Sequence, residues 1–524
     1  MLDSFPFYLS LAVVIVLLVM LANRIKVAYP VLLVIAGLAL SIIPGMPQVH
    51  IDSELIFFIF LPPLLYEAAW QTSWKELWRW RRIVCSFAFV VVFFTALSVA
   101  LVANYYIPGF TLALGFLLGG IVSPPDAVST AAILKFVKVP KRMSSILEGE
   151  SLLNDASSLI IFRFAFIAVS TGQFVWHQAA LSFVWMVVGG IITGLAIGFV
   201  IMKIHKLLPT DANMDIILTL VTPYAVYICA EEVHSSGVLG VVAAGLFLSY
   251  HRHSFLSSSA RLRSTNVWES LSFLLNGLVF LLIGLDLPQI TSELGDVSIK
   301  AAIGYGLLIS GILIVTRIIA AYGAVITTLI ARNFITVADA SHPGFKTPLL
   351  LGWAGMRGVV SLAAALSIPV YVHQGVAFPQ RNLILFITFI VILTTLLLQG
   401  LTLPFMINRI HLPDPDEKMP EDKVYLKLRR QLNKLALKYL DEKYPQGLED
   451  PPALHQMAQK WRLNSNEPTD TDLPDETRDV YSEILDQQRV WLLKRNLETF
   501  SITEDVIRKH LLFLDLEEEK LKYL

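Results

Sequence analysis

The sequence predicts an all-α polytopic membrane protein: thirteen transmembrane helices, N-terminus outside and C-terminus inside, followed by a soluble helical tail. Three observations carry that expectation. Mean hydropathy is +0.63, with 55% hydrophobic and 16% charged residues, too apolar for a soluble chain of this length. Charge is unevenly placed: residues 1–408 hold 22 Lys+Arg and 18 Asp+Glu, whereas the 116 residues 409–524 hold 19 and 24. This divides the chain into a membrane domain, 1–408, and a cytosolic regulatory or assembly tail, 409–524. Basic residues also cluster after alternate apolar runs, as they do on the cytoplasmic side of a membrane.

The apolar runs are 5–23, 28–45, 54–70, 83–103, 109–134, 149–170, 177–202, 214–231, 237–250, 266–285, 301–331, 348–371 and 383–407. Most approach the ~20 residues that a helix needs to cross the hydrocarbon core. The run 237–250 is short, and 301–331 is long enough to tilt or kink. Odd-numbered runs are followed by bases: Arg24 and Lys26; Lys75, Arg79, Arg81 and Arg82; Lys135, Lys138, Lys141 and Arg142; Lys203 and Lys206; Arg252, Arg261 and Arg263; Arg332 and Lys346. Loops after even-numbered runs hold only Lys300 and Arg381. No cleavable leader is expected, because the first run lacks a basic approach and a small-residue cleavage site. Cys85 and Cys229 sit in apolar runs and fit no metal spacing. The tail opens at Pro413 and Pro415, alternates apolar and basic residues from Val424 to Leu440, and has a linker from Asn464 to Asp475. Helical segments follow at Val480–Leu493 and Ile502–Leu516. It contains no nucleotide loop, and no nucleic-acid partner or cofactor is expected.

Two runs carry helix breakers at mid-depth: Gly119-Gly120 and Ser123-Pro124-Pro125-Asp126 in the fifth, and Gly352, Gly355 and Gly358 around Arg357 in the twelfth. Proline removes a backbone donor, and freed backbone groups cannot face lipid, so each break must line a cavity or lie in protein. The broken runs are seven apart and therefore cross in opposite directions. Runs 1–6 and 8–13 then read as two inverted six-helix halves, the arrangement of secondary transporters.

The chemistry concentrates in Glu148 to Arg163, EGESLLNDASSLIIFR. Ser151 and Asp155 are four apart, as are Glu150 and Asn154, so these side chains share neighbouring faces within one turn. An ionised side chain at mid-depth costs about 2.5–3.5 kcal/mol even on lenient insertion scales. Such a cluster must face protein or water. A carboxylate beside hydroxyl and amide oxygens suits a partly dehydrated alkali cation, and either that cation or a proton could neutralise it. A hydrogen-bonded contact between helices is the simpler alternative. Ser123 offers a hydroxyl beside the first break, Asp126 is either a helix cap or a ligand, and Arg357 compensates half-helix ends or pairs with Glu150. Glu67 is a pathway or interfacial residue. Arg163, about 12 Å along the helix from Asp155, and Arg317 have no partner that the sequence identifies, and His234 reads as interfacial.

The segments SPPDAVS, LEGESLLNDASS, AEEVHSSGVLGVVAAG, NGLVFLLIGL and GWAGMRGVVSLAAAL resemble, in order, the motifs of monovalent cation:proton antiporters of the bacterial sodium/proton exchanger type. The resemblance covers roughly residues 5–407 and not the tail. It implies that Asp155 carries the ion and the proton, with Asn154 as its amide neighbour and Ser151 and Ser123 as cation ligands. It also implies a buried stabilising pair of Glu150 with Arg357, Glu67 as a pathway acid, and a homodimer. The family often has Thr-Asp-Pro at the first break; here the matching residues are Ser123-Pro124-Pro125, with the acid displaced to Asp126.

The expected function is electroneutral exchange of Na⁺, with Li⁺ and K⁺ as further candidates, for H⁺ in the inner membrane of a bacterium. It is transport without a catalysed reaction, and its only ligands are the transported ions. A symporter or uniporter on the same scaffold is the alternative. An intramembrane aspartyl protease using Asp126 and Asp155 is disfavoured, because neither acid stands in a Gly-x-Gly-Asp context.

Overall fold

Several helices of this chain begin where a side chain can take up the first free N–H groups. Asp211 accepts from the N–H of Asn213 and Met214 at 2.8 Å, and Thr111, Ser236 and Ser257 each cap the residue three further on at 3.2–3.3 Å. A computed structural model describes residues 5–43, 53–134, 139–172, 176–292, 297–331, 344–373, 376–410, 421–443 and 475–498, with isolated positions besides. The helices are α1 (Phe5–Ile25), α2 (Tyr29–Ser41), α3 (Ser53–Gln71), α4 (Trp74–Cys85), α5 (Val92–Tyr106), α6 (Leu112–Val122) and α7 (Ala127–Leu134). They continue with α8 (Lys141–Thr171), α9 (Trp176–Leu207), α10 (Ala212–Glu232), α11 (Gly237–Phe255), α12 (Ser258–Leu285), α13 (Leu287–Ser292) and α14 (Ile299–Ala331). The last of this unit are α15 (Lys346–Trp353), α16 (Val359–Leu366) and α17 (Arg381–Ile410); α18 (Glu421–Lys443) and α19 (Asp475–Glu498) belong to the tail.

Among the described residues, seven helices are long and apolar enough to cross a membrane. Their outward faces carry apolar side chains, as lipid requires: α9 exposes Leu181, Val184, Val188, Ile192 and Leu195 at helical spacing. Inside, small residues let helices meet backbone to backbone, α9 and α11 at Gly194 and Gly240, α2 and α12 at Gly37 and Gly284.

Three features depart from the sequence expectation. Lys75 to Arg82 lie on a helix and not in a loop, because Leu77, Trp80 and Val84 recur at helical spacing and are all buried. A π-helical turn, Ser86–Val91, joins α4 to α5 and rotates the face presented to the core. The chain is also not purely helical. After Pro369 a short antiparallel hairpin pairs Tyr371–His373 with Val376–Ala377. Lys135, Lys138, Arg332, the linker 464–474 and most of 502–516 lie outside the described residues.

The chain divides into compact units at 1–416 and 417–524. Within the second, α18 buries Leu440 and exposes Leu432, Leu435 and Tyr439, and α19 buries Leu485.

Candidate functional site

The two predicted breaks are real, and they are stitched together. Helix α6 stops at Val122 ahead of Pro124-Pro125, and α7 starts at Ala127. Helix α15 stops at Trp353, and α16 starts at Val359 after an irregular stretch. The Asp126 N–H donates to the Met356 carbonyl at 2.7 Å, and the Thr130 hydroxyl donates to the carbonyls of Ala354 (3.1 Å) and Asp126 (2.9 Å). Backbone groups that lipid could not satisfy thus satisfy one another.

Charges sit where the half-helix dipoles want them. The Asp126 carboxylate caps α7, accepting from the Ser129 N–H at 3.0 Å and from the Ser129 hydroxyl. It also lies against Gly358, which precedes α16, so closely that a Cβ there would collide with it. The one carboxylate therefore caps α7 and abuts the start of α16. Arg357 is fully buried and serves the opposite pole. Its Nε donates to the Val122 carbonyl at 2.8 Å, its Nη2 to Ser123 at 3.3 Å, and its Nη1 to Gly355. The Arg357 N–H is held by the Thr395 hydroxyl of α17 at 3.2 Å.

Glu150 does not pair with Arg357. Arg317, from the middle of α14, reaches both carboxylate oxygens at 2.8 and 2.9 Å, with both side chains 1% exposed. The guanidinium passes through the space left by Gly355, where a Cβ would strike it. Sequence reasoning left Arg317 without a role. A cation in the middle of a 33-residue apolar helix, whose other base is Lys300 at its start, was the available signal, but its partner lies 167 positions away.

Helix α8 reads the first break directly. Asn154 Nδ2 donates to the Pro125 carbonyl at 3.2 Å, and the Ser151 hydroxyl reaches the same oxygen at 3.4 Å. Asp155, next in sequence, is 7% exposed and within electrostatic reach of Asp126. Among the described residues, nothing donates a hydrogen bond to its carboxylate. Two further oxygens at the crossing, Ser123 Oγ and Asn154 Oδ1, are buried without a partner. Buried polar atoms are normally paired, and these two oxygens are exceptions. A cavity of about 290 Å³ at the first break is lined by Pro125, Asp126, Glu150 and Ser151 and reaches Ser144 and Glu148.

The remaining candidates lie outside this knot. Glu67 on α3 is bonded to Gln71, and Tyr29 of α2 is within electrostatic reach of both Glu67 and Asp126. Arg163 is half exposed and pairs with Glu231 of α10 at 3.3 Å. Glu231 also accepts the Gly237 N–H at 3.1 Å. Among the described residues, no group of three or more His, Cys, Asp and Glu side chains is placed to hold a metal ion.

Residues 10–409 match the family model described as "Sodium/hydrogen exchanger, transmembrane". The chain is 35% identical over 390 residues to the sodium, potassium, lithium and rubidium/H⁺ antiporter of Bacillus subtilis. That alignment covers 72% of this chain and 57% of the relative, so the chain spans little more than half of that protein's length. The low-affinity Na⁺/H⁺ antiporter NhaS1 of Synechocystis is 33% identical over 392 residues, 74% of this chain and 70% of that protein. Among solved structures, the sodium proton antiporter MjNhaP1 of Methanocaldococcus jannaschii superposes with a TM-score of 0.61 at 18% identity, covering 78% of this chain and 98% of its own; it shares the fold. A multi-pass helical membrane protein with two crossed, broken helices and the matched model over 10–409 belongs to the sodium/hydrogen exchanger family.

Proposed function

We propose that this chain exchanges Na⁺ for H⁺ across a bacterial inner membrane, one ion for one, with Asp155 as the carboxylate that each ion neutralises in turn. The observation that carries this reading is the contrast among the three acids around the crossing. Glu150 is committed to Arg317 and Asp126 to α7, whereas the Asp155 carboxylate has no donor among the described residues. Its negative charge must be matched by a species from outside, and the unpaired oxygens of Ser123 and Asn154 favour a cation that wants oxygen ligands. Ser151 and Asn154 anchor α8 to the break. Glu150, Arg357, Asp126 and Glu67 shape the surrounding field, and Arg163 acts at a distance from it. Li⁺ and K⁺ enter as candidate substrates because the Bacillus relative is named for them.

The topology that goes with this reading has thirteen spans, an external N-terminus, a cytosolic tail from residue 409 and two inverted halves joined at the crossing. Alternating access follows if the body holding α6–α8 and α15–α17 moves against the rest. A homodimer is the assembly we assign. The test is dequenching of a pH dye in everted vesicles on addition of Na⁺, Li⁺ or K⁺, with Asp155→Asn alongside. Cation-dependent dequenching from the native chain and none from the variant is the expected result. Cation uptake without proton movement would replace exchange by uniport, and co-directional movement would replace it by symport.

A further inference from the structure

Four polar residues run down one side of α8. Ser144, Glu148, Ser151 and Asp155 follow one another at intervals of four, three and four, the spacing that keeps side chains on one helical face. The first three line the cavity at the first break, whose walls also include Pro125, Asp126 and, from the second break, Ala354. The stripe therefore runs from the Ser144 end of the cavity towards the carboxylate assigned to the ion. Glu148 stands seven residues, about 10 Å along the helix, from Asp155.

Glu148 differs from the other two acids of that cavity. Glu150 is buried against Arg317, and Asp126 caps α7. Glu148 is exposed and accepts a hydrogen bond from the Ser144 hydroxyl at 2.8 Å; among the described residues it forms no ion pair. None of the described residues lining the cavity is a base, and Leu134, Val139 and Leu147 supply apolar wall. An exposed glutamate is ordinarily a solvated surface residue. At the edge of a cleft with low-dielectric walls of one charge sign, its field is focused inward, which concentrates cations there and turns anions away.

We propose that Glu148 is the rim carboxylate that draws monovalent cations from the cytosolic side into this cavity. It sets the apparent affinity for the cation and not the rate of turnover. The inference rests on the exchange reading and on its topology, in which α8 starts at the cytosolic face. Glu148 acts through its charge at a distance and is not a ligand, so it serves Na⁺ and Li⁺ alike.

The test is pH-dye dequenching in everted vesicles, which present the cytosolic face to the bath, titrated with Na⁺ or Li⁺ at two background ionic strengths set with choline chloride. One charge at about 10 Å predicts that E148Q raises the half-saturating cation concentration roughly two- to tenfold at ~10 mM background, with the maximal rate unchanged. At ~0.3 M the gap should close to less than about twofold, because the screening length falls below that distance. E148K should shift the half-saturation further in the same direction, E148D should restore it, and Na⁺ and Li⁺ should shift by the same factor. An unchanged half-saturation at low ionic strength, a shift that salt does not reduce, a fall confined to the maximal rate, or unequal factors for the two ions would overturn the proposal. Exchange by the native chain with any of those outcomes leaves the exchange reading standing; no exchange by the native chain overturns both.

Discussion

A carboxylate with no protein donor can lose its charge without leaving a partner stranded, whereas one paired to a buried arginine cannot. Asp155→Asn should therefore fold with an almost unchanged melting temperature and show no cation-dependent proton movement. Glu150→Gln leaves Arg317 buried and uncompensated, at a cost of about 3–5 kcal/mol. The expected result is a marked fall in melting temperature and in the yield of monodisperse protein. Replacing both partners with apolar residues, as in E150L/R317M, should recover much of that stability. Ser123→Ala removes one unpaired oxygen from the crossing. If it is a ligand, losing an interaction of about 1–1.5 kcal/mol should raise the half-saturating Na⁺ concentration roughly tenfold. The maximal rate should change less, and a pH-dye titration in vesicles measures both.

Among the elements, the broken helices give the sharpest contrast between glycines. A Cβ at Gly358 would collide with the Asp126 carboxylate, the group that serves the start of α7 and lies against the start of α16. Gly358→Ala should lower the melting temperature and abolish exchange. Gly304→Ala on α14, where nothing lies within 4 Å, should be tolerated and even stabilise its helix by up to about 1 kcal/mol. Both breaks were legible beforehand, since Pro124-Pro125 and the three glycines interrupt runs that are otherwise continuous. So was the cluster on α8, because polar residues at mid-depth need a reason. The partners were not legible. Nothing local to Glu150 distinguishes Arg317 from Arg357, and the choice is made by which helix Gly355 allows to approach. The amphipathic start of α4 was mistaken for a loop because its charges outweigh Leu77, Trp80 and Val84 in any average of hydropathy, while their spacing marks a helix.

For the whole molecule, the Asp126–Met356 and Thr130–Ala354 bonds between the two breaks tie α7 to the stretch between α15 and α16. The Arg163–Glu231 pair joins α8 to α10 away from that knot, and α10 lies outside the body proposed to move. If the pair closes one side of the site, a reducible bifunctional thiol cross-linker joining R163C to E231C should stop exchange in vesicles, and reduction should restore it. Exchange undiminished by the cross-link would mean that α8 and α10 do not separate during turnover. The commitment of Asp126 and Glu150 to protein donors has a thermodynamic corollary. If the moving body carries the same total charge with either ion aboard, the electric potential does no work on a turnover. Net flux should vanish where the inside-to-outside ratio of the metal ion equals that of the proton, and clamping the voltage at a different value should leave that balance point where it was.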